Sequence, residues 1–354
     1  MAEKIYRVIQ WATGTVGTAA LRHFIRNPVI DLVGVYVTNP DKVGKDAGDI
    51  VGLPATGVAG TSDIDALVAL EADCVLFSPF QNPDNLDIIC RLLASGKNVV
   101  SPAGPFLPNK WLPDETARIE AACAAGNSSF HGCGVHPGFS GDILPLTLAR
   151  LCDRVDSIEV SEIIDKVRTP MIYTEMMGFG LDPEYLLANP RRSPETYKHF
   201  YSSMEMIAQG LGKTIDEVTV KFEVATALKD ITHLYGEVKA GTVGGQHYEW
   251  TAWSEGAPLI VYHFYWQLGH DIDPRWESNE EDCYRVRIKG EPPLEVKLMS
   301  AEVEDGKRPF LGLPWTGIVG ATAVPAVCDA KPGIISHIDL GVLQPRGLVR
   351  RGES

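Results

Sequence analysis

The first 135 residues alternate between two patterns of hydrophobic and polar positions. Between short β-branched runs lie stretches with apolar residues at helical spacing, such as 83–95 and 114–125. The β-branched runs are 6–12, 30–37, 72–78, 97–101 and 128–135. Strands that alternate with helices predict a parallel sheet covered by helices, which is an α/β fold.

After residue 140 the pattern changes. We expect a connecting helix at 141–155, a strand at 156–165, a loop at Thr174–Gly180 and a long helix at 194–212. The later strand-like runs follow one another through tight turns, which favours a mostly antiparallel or mixed sheet in an α+β domain. These later runs are 221–228, 236–256, 258–268, 282–290 and 292–300.

The apolar stretch Thr316–Ile334 reads as a helix that does not belong to the second sheet. We expect it to pack on the first domain and to close it. The predicted domains are therefore a discontinuous dinucleotide-binding domain, residues 1–140 and 315–354, and a substrate and oligomerisation domain, residues 141–314.

Composition narrows the class of protein. With 354 residues, 45% hydrophobic and 22% charged, the chain can bury a core in two lobes. A net charge of -14 disfavours nucleic-acid binding, and the one dense basic run, Arg346–Arg351, is expected to be a solvated terminus. Neither a membrane span nor a signal peptide is visible, so we expect a cytoplasmic protein with no membrane partner.

The seven cysteines form no CxxC pair and most lie in apolar runs, so we interpret them as small buried hydrophobic residues. His131, Cys133 and His136 lie close together in the sequence. The glycines between them indicate strand and loop, and no fourth ligand is visible, so no metal site is predicted.

The turn "ATGTVG", residues 12–17, has the spacing of a dinucleotide-binding turn between a strand and a helix. Gly14 lets the backbone approach a pyrophosphate, and Gly17 lets the helix pack on the strand. Ala12 replaces the first glycine, and its methyl group is tolerable if the local φ is negative. A β-branched residue at Gly14 or Gly17 is expected to abolish binding and to leave the fold largely intact.

The end of the second strand bears on the cofactor. An NAD site usually has an acidic residue there, whereas this chain has Thr38 and Asn39, followed by Lys42 and Lys45. NADP(H) is therefore preferred and NAD(H) remains possible. One of the lysines would pair with a 2′-phosphate, unless both are only surface charges.

Ligands of open α/β sheets bind at the carboxyl ends of the strands. Three further loops there are rich in Pro and Gly, and we expect them around the nicotinamide ring. The predicted cofactor-binding residues are Ala12, Thr13, Gly14, Thr15, Val16, Gly17, Thr38, Asn39, Lys42, Lys45, Ser78, Pro79, Phe80, Ser101, Pro102, Ala103, Pro137, Gly138 and Phe139.

Aromatic residues are dense in the second domain. They can fill a sheet face as cross-strand pairs, or some of them can wall an apolar substrate pocket. The residues are Trp250, Trp253, Tyr262, Phe264, Tyr265, Trp266 and Trp276.

Five segments together resemble the dihydrodipicolinate-reductase-like NAD(P)-dependent oxidoreductases, in the branch that contains 2,4-diaminopentanoate dehydrogenase and the native amine dehydrogenases. They are "ATGTVG", "GCGVHPGFSGDILP" (132–145), "MMGFG" (176–180), residues 249–276 and "ATAVPAVCDAKPGIISHIDL" (321–340). The resemblance implies a Rossmann domain closed by the C-terminal helix, a homodimer, and hydride transfer to a small carbonyl or imine substrate.

Two departures from that family bear on the chemistry. The resemblance implies a glutamate, carried by the amine dehydrogenases of this branch, at the position where this chain has Ala103, Gly104 and Pro105. It also implies an asparagine at the position where this chain has His136. Reductive amination needs such a carboxylate more than carbonyl reduction does, so carbonyl reduction of a fairly apolar substrate is preferred.

The proton for that reaction has three candidate donors, His136, Tyr173 and Glu175. His136 can equally brace its loop, and Glu175 can stand in for the missing glutamate. Two alternatives to carbonyl reduction stay open: reductive amination with a relocated carboxylate, and a nucleotide-binding sensor without catalysis.

Overall fold

A computed structural model describes residues 4–106, 110–169, 171–190, 198–233, 236–276, 282–303, 308–309 and 312–349. Contacts between residues divide the chain into two units. Unit 1 comprises Met1–Phe139 and Leu313–Ser354, and unit 2 comprises Ser140–Gly312.

The strands are β1 (Tyr6–Trp11), β2 (Ile30–Tyr36), β3 (Gly60–Thr61), β4 (Cys74–Phe77), β5 (Asn98–Ser101), β6 (Ser129–Gly132), β7 (Arg154–Asp165), β8 (Glu217–Ala227), β9 (Ile231–His233), β10 (Gly236–Val238), β11 (Val243–Ser254), β12 (Ala257–Gln267), β13 (Ile272–Asp273), β14 (Cys283–Glu291), β15 (Leu294–Leu298) and β16 (Gly333–Ile334). The α-helices are α1 (Thr15–Arg26), α2 (Ala47–Val51), α3 (Ile64–Ala69), α4 (Asn85–Ala94), α5 (Pro113–Gly126), α6 (Leu144–Ala149), α7 (Met171–Met177), α8 (Pro183–Ala188), α9 (Lys198–Gly210), α10 (Leu313–Asp329) and α11 (His337–Leu340).

Unit 1 is built on one sheet whose strands lie in the order β3-β2-β1-β4-β5-β6-β16. Every strand pair in it is parallel. The chain winds outward from β1 in one direction to β3 and in the other from β4, so β1 and β4 flank the point where the strand order reverses. The Rossmann-type fold predicted from the sequence is confirmed.

Helix α10 completes one face of this sheet, as the sequence predicted. It contacts α1 and the strands β4, β5 and β6, and its buried Ala321 and Val324 join Leu76 and Val100 in one apolar cluster. The crossing with α1 is close, because a Cβ built on Gly317 would lie 2.3 Å from the carbonyl oxygen of Val16.

The C-terminal segment is tied to the start of the chain by charge. Asp329 accepts hydrogen bonds from Lys4 at 2.7 Å and from Tyr6 at 2.8 Å, and the Arg346 guanidinium lies 3.6 Å from the same carboxylate. Arg346 is exposed, as expected for a solvated terminus, and it also has a carboxylate partner. Residues 350 and 351 of the predicted basic terminus lie outside the described residues.

Unit 2 contains a seven-stranded sheet in the order β13-β8-β11-β12-β7-β14-β15. Its pairs are antiparallel, except that β12 and β7 are parallel. The sheet is therefore mixed, as predicted. The β11–β12 hairpin turns at Glu255 and Gly256, both with positive φ, of 53° and 78°.

One face of this sheet is aromatic and buried. Phe200 of α9 packs on Trp250 and Phe264, with ring centroids 5.5 and 4.5 Å apart, and Tyr248 stacks near Trp250 at 5.1 Å. The indole of Trp253, by contrast, donates to Thr219 on the other face. Many of the aromatic residues thus fill the core between the sheet and α9.

Two local predictions for this region need correction. The loop expected at Thr174–Gly180 begins only at Gly178, because residues 174–177 form the end of helix α7, and Gly178, with a φ of 92°, follows the last helical residue. The connecting helix, expected at 141–155, ends at Ala149: residues 141–143 belong to a π-helical segment that runs directly into α6, and pairing with β14 extends β7 back to Arg154. The long helix is described over Lys198–Gly210, and residues 194–197 lie outside the described residues.

All seven cysteines are free thiols, and four of them, Cys74, Cys123, Cys133 and Cys283, are buried. Among the helices of the described residues, none combines the length and the apolar character that crossing a bilayer requires.

Candidate dinucleotide site

The turn between β1 and α1 lies at the point of unit 1 where the strand order reverses. Gly14 precedes the first residue of α1 and has an extended backbone, with φ -75° and ψ -166°. The first-turn amides of a helix have no intrahelical partner, and no side chain caps them here. The first turn also contains no acidic residue. This helix end can therefore accept an anion.

The two glycines of the turn differ in what surrounds them. A Cβ built on Gly14 would meet no described atom within 4 Å, so this position faces open space. A Cβ on Gly17 would lie 2.1 Å from the carbonyl oxygen of Ala12. Gly14 thus leaves room for a ligand, whereas Gly17 allows the helix to approach the end of the strand.

Ala12 has a φ of 72°. The condition under which a methyl group was acceptable there, a negative φ, is not met, because the turn needs the left-handed conformation that glycine adopts easily. The cost of that conformation for an L-residue is roughly 1–2 kcal/mol.

Gln10 and Ser78, both buried, hold this turn in place. The Gln10 amide nitrogen donates to the carbonyl of Ala12 at 2.8 Å and to the Ser78 hydroxyl at 2.9 Å. The Ser78 hydroxyl in turn donates to the carbonyl of Trp11 at 3.0 Å. Sequence reasoning missed Gln10, although a polar residue in the middle of an apolar strand was a visible signal.

Lys42 reaches the turn from the segment after β2. Its ammonium group donates to the carbonyl of Thr13 at 2.9 Å and to the Thr13 hydroxyl at 3.2 Å. Thr38, Asn39 and Lys45 are exposed nearby in the sequence, and Asn39 caps the short 3-10 turn Pro40–Lys42 through the amide of Asp41. The structure therefore places a cation, the Lys42 ammonium, directly beside the β1–α1 turn.

The other predicted loops follow β4, β5 and β6 at the same edge of the sheet. Phe80 and Phe139 are 47% and 37% exposed, which is unusual for large apolar side chains. Ser101 is buried and donates to the carbonyl of Gly104 at 2.5 Å, and Pro102 is buried beside it. Half-buried Pro79 and Ala103 and buried Pro137 and Gly138 complete these loops.

The two histidines near β6, His131 and His136, lie in different environments. His131 is fully buried; its Nδ1 lies 2.8 Å from the carbonyl oxygen of Ile335, and its ring packs edge-on against His337. Burial, with a smaller contribution from His337, lowers the pKa of His131 to about 3. His131 is therefore a neutral core residue, whereas His136 is half-buried in the loop after β6.

Comparisons with known proteins bear on this arrangement. Residues 139–351 match the family described as the 2,4-diaminopentanoate dehydrogenase C-terminal domain. An amine dehydrogenase of Streptomyces virginiae is 30% identical over 98% of this chain and 99% of its own length. The chain belongs to the 2,4-diaminopentanoate dehydrogenase family.

Two further similarities agree with this assignment. The 4-hydroxy-tetrahydrodipicolinate reductase of Synechococcus elongatus is 30% identical over 46% of this chain and 59% of its own length. The structure of an amine dehydrogenase from Mycobacterium smegmatis superposes with a TM-score of 0.79 at 19% identity, covering 96% of this chain and 98% of that one. The resemblance predicted from the sequence is confirmed, and this diaminopentanoate dehydrogenase family member is an oxidoreductase.

The other two candidate proton donors, Tyr173 and Glu175, lie on α7 in unit 2. Tyr173 is half-buried, and burial raises the pKa of its phenol, so it stays protonated at neutral pH. Glu175 is exposed. His136 belongs to unit 1, and the assignment of a donor among the three stays a prediction.

Proposed function

We propose that this oxidoreductase binds a nicotinamide dinucleotide at the β1–α1 turn of unit 1. The observation that carries the proposal is the open space at Gly14, directly before the uncapped N-terminus of α1 and at the reversal of the strand order. Backbone amides aimed at open space suit a pyrophosphate. Unit 1 is then the dinucleotide-binding domain, and unit 2 carries the substrate and dimer contacts.

NADP(H) is the preferred cofactor in this proposal. The residues directly after β2, Val37, Thr38 and Asn39, offer hydroxyl and amide groups and no carboxylate that would repel a 2′-phosphate. The Lys42 ammonium, already beside the Thr13 hydroxyl, is the cation that supports this preference. NAD(H) is the alternative.

The proposed reaction is hydride transfer to the carbonyl carbon of a small, fairly apolar ketone or aldehyde. The reduced nicotinamide loses hydride and becomes the oxidised cofactor, while the developing alkoxide takes one proton from a donor, with His136 first and Tyr173 or Glu175 as alternatives. Ala103, Gly104 and Pro105 supply no carboxylate for managing ammonia and an iminium, which favours this reaction.

Reductive amination is the second candidate. It is favoured by the full-length similarity to the Streptomyces virginiae amine dehydrogenase. In this reaction the hydride adds to the C=N carbon of an imine formed from the carbonyl compound and ammonia, with loss of water.

Cofactor titrations followed by turnover test the proposal. Purified protein should bind NADPH more tightly than NADH by fluorescence titration, and it should oxidise NADPH with members of a ketone and aldehyde panel without ammonia. A strict ammonia requirement would establish the second candidate instead. Binding with no turnover across the panel would leave a nucleotide sensor, and no binding of either cofactor would refute the proposal.

Lys42→Ala separates the cofactor preference from the general integrity of the turn. We expect NADPH affinity to fall by roughly 10–100-fold, since a hydrogen bond between charged groups contributes about 1.5–3 kcal/mol, with NADH affinity nearly unchanged. Lys45→Ala is the matched control, because this exposed lysine is close in sequence. An equal loss for both cofactors in Lys42→Ala would show that Lys42 only braces Thr13.

A further inference from the structure

A cluster of histidine and carboxylate side chains lies on the face of the unit 2 sheet opposite its aromatic core. Among the described residues, His247, Glu249 and His263 bring one ligand atom each within 4.8 Å of the others. His247 Nε2 lies 3.0 Å from His263 Nδ1, and His263 Nδ1 lies 3.8 Å from a Glu249 oxygen. The nicotinamide chemistry proposed above makes no use of these groups.

The strands fix this geometry. His247 and Glu249 are two residues apart on β11, so they point to the same face. His263 on β12 is directly opposite Glu249 in the ladder. All three side chains therefore start from the two neighbouring central strands of a seven-stranded sheet, and a site on such strands is held more rigidly than a site on loops.

A hydrogen bond at the other ring nitrogen of His247, Nδ1, fixes the orientation of the ring. His247 Nδ1 lies 2.9 Å from a carboxylate oxygen of Glu223, and an ionised carboxylate can only accept, so the proton is on Nδ1. The lone pair on Nε2 then faces His263 Nδ1, 3.0 Å away. The ring is also stacked on Tyr265, with centroids 4.2 Å apart and an interplanar angle of 6°.

A carboxylate behind a histidine is the usual support of a metal-bound imidazole, because it fixes the tautomer and increases the basicity of the ligating nitrogen. Two nitrogens bound to zinc at about 2.05 Å in tetrahedral geometry lie about 3.3 Å apart, close to the separation of the two imidazole nitrogens here. His247 is 5% exposed, whereas the Glu249 side chain is 33% exposed, so the cluster is partly desolvated yet open to an entering ion.

We propose that His247, His263 and Glu249 form a site for a divalent transition metal, Zn²⁺ above all, with Glu223 as the positioning residue of His247. Two imidazoles and one carboxylate are the donor set of a zinc site that keeps its fourth position for water. Binding requires His263 to carry its proton on Nε2, so that Nδ1 turns its lone pair to the ion. Hard ions such as Mg²⁺ are excluded by the nitrogen ligands.

Metal titration of full-length, tag-free protein stripped with chelator tests the proposal, and no cofactor or substrate is present in it. Isothermal titration calorimetry with Zn²⁺ should give one equivalent per chain, Co²⁺ should produce a visible absorption band, and Mg²⁺ should give no signal. Zn²⁺ should also raise the Tm of the wild-type protein, since a ligand that binds only the folded state stabilises it.

Variants locate the ion. His263→Gln and Glu249→Gln should each weaken zinc binding by at least about 100-fold, and Glu223→Gln by about 10–100-fold, as expected for the support of a ligand. His270→Gln is the matched control, because His270 is an exposed histidine of the same unit, and it should bind zinc like the wild type. Circular dichroism checks that each variant is folded.

Two results would overturn the proposal. One is wild-type protein that binds no zinc, which would leave the cluster as hydrogen-bonded side chains. The other is unchanged zinc affinity in both His263→Gln and Glu249→Gln, which would place the ion elsewhere on the chain. Because the readouts are metal affinity and Tm, they are independent of whether unit 1 binds NADPH.

Discussion

At the scale of single residues, the β1–α1 turn combines a strained backbone with a buried hydrogen-bond network. Ala12 holds a φ of 72°, and the Gln10 amide holds its carbonyl. The left-handed conformation persists because surrounding groups determine it, which is typical of functional turns. Gln10, the residue that supports the turn, thus lies in β1, the strand that precedes it.

Ala12→Gly should raise the free energy of unfolding by up to about 1 kcal/mol, because relief of the left-handed strain exceeds the greater entropy of glycine in the unfolded chain. Thermal or urea denaturation measures this. Ala66→Gly in the exposed part of α3 is the matched control, and there the same substitution should destabilise by about 1 kcal/mol. A destabilised Ala12→Gly variant would refute the strain argument.

Gly14 and Gly17 should respond differently to substitution. Gly14→Val places its side chain in open space, so the Tm should stay within a few degrees of the wild type while cofactor affinity is lost. Gly17→Ala brings a Cβ to 2.1 Å from the Ala12 carbonyl oxygen, and the protein should be clearly destabilised. The expectation from the sequence that either change spares the fold is therefore wrong for Gly17, since its neighbour is backbone.

Circular dichroism melts, combined with an NADPH titration of each variant, separate the two effects. If Gly14→Val bound NADPH as tightly as the wild type, the open space beside Gly14 would not be the pyrophosphate position.

At the scale of elements, the contact between β6 and the segment after α10 rests on a histidine that stays neutral. His131 on β6 meets the Ile335 carbonyl and the His337 ring, so the last part of the chain is attached to the edge of the sheet beside β16. A charge on this ring would be buried away from water, and this is why burial lowers the pKa of His131 to about 3.

The lowered pKa of His131 predicts that the free energy of unfolding decreases as the pH falls. The unfolded chain binds the His131 proton below about pH 6.5, whereas the folded protein does not until about pH 3. The contribution is therefore complete above pH 6.5 and falls by about 1.4 kcal/mol per pH unit below it. Between pH 7 and 5 the free energy of unfolding should drop by about 2 kcal/mol from this group alone.

His131→Gln is the variant that checks it, because glutamine can still donate to the Ile335 carbonyl and does not titrate. Urea denaturation from pH 8 to pH 5 should give a variant that is less stable at pH 8 but loses less stability on acidification. Equal slopes for the two proteins would contradict the assignment.

At the scale of the whole molecule, unit 1 is assembled from both ends of the chain. Helix α10 covers the sheet, and Asp329 at its end joins Lys4, before the first strand, and Tyr6, in that strand, to Arg346 of the last segment. Burial and the bond to Asp329 raise the pKa of Tyr6 to about 12, so the phenol remains a donor at every physiological pH.

Asp329→Ala should lower the free energy of unfolding by about 1–3 kcal/mol, because the buried Tyr6 hydroxyl and the cations lose their shared acceptor. Asp31→Ala, which removes an exposed partner of Arg7 at 3.9 Å, should change it by less than about 1 kcal/mol. Denaturation of the full chain measures both. Similar losses in the two variants would show that the Asp329 contacts are no more than a surface ion pair.

The sequence by itself determined most of the long strands and helices, the parallel and mixed sheets, the return of the last helix to unit 1 and the family. Those features follow from local periodicity and from long ordered motifs, which do not depend on where distant residues meet. Strand and helix periods differ, so the strand at 6–12 and the helix at 316–334 could be assigned without knowing their partners. The end of that helix was predicted too late, because α10 stops at Asp329 and Gly333–Ile334 form β16.

Only the tertiary structure decided the φ of Ala12, the contact between Lys42 and Thr13, the clash that Gly17 avoids and the meeting of His247 with His263. Each of these depends on how atoms of different elements meet in the fold, or on a backbone angle that the surrounding fold imposes. Helix α7 belongs here as well, because a short segment with glycines at its end is compatible with either loop or helix until its neighbours are in place.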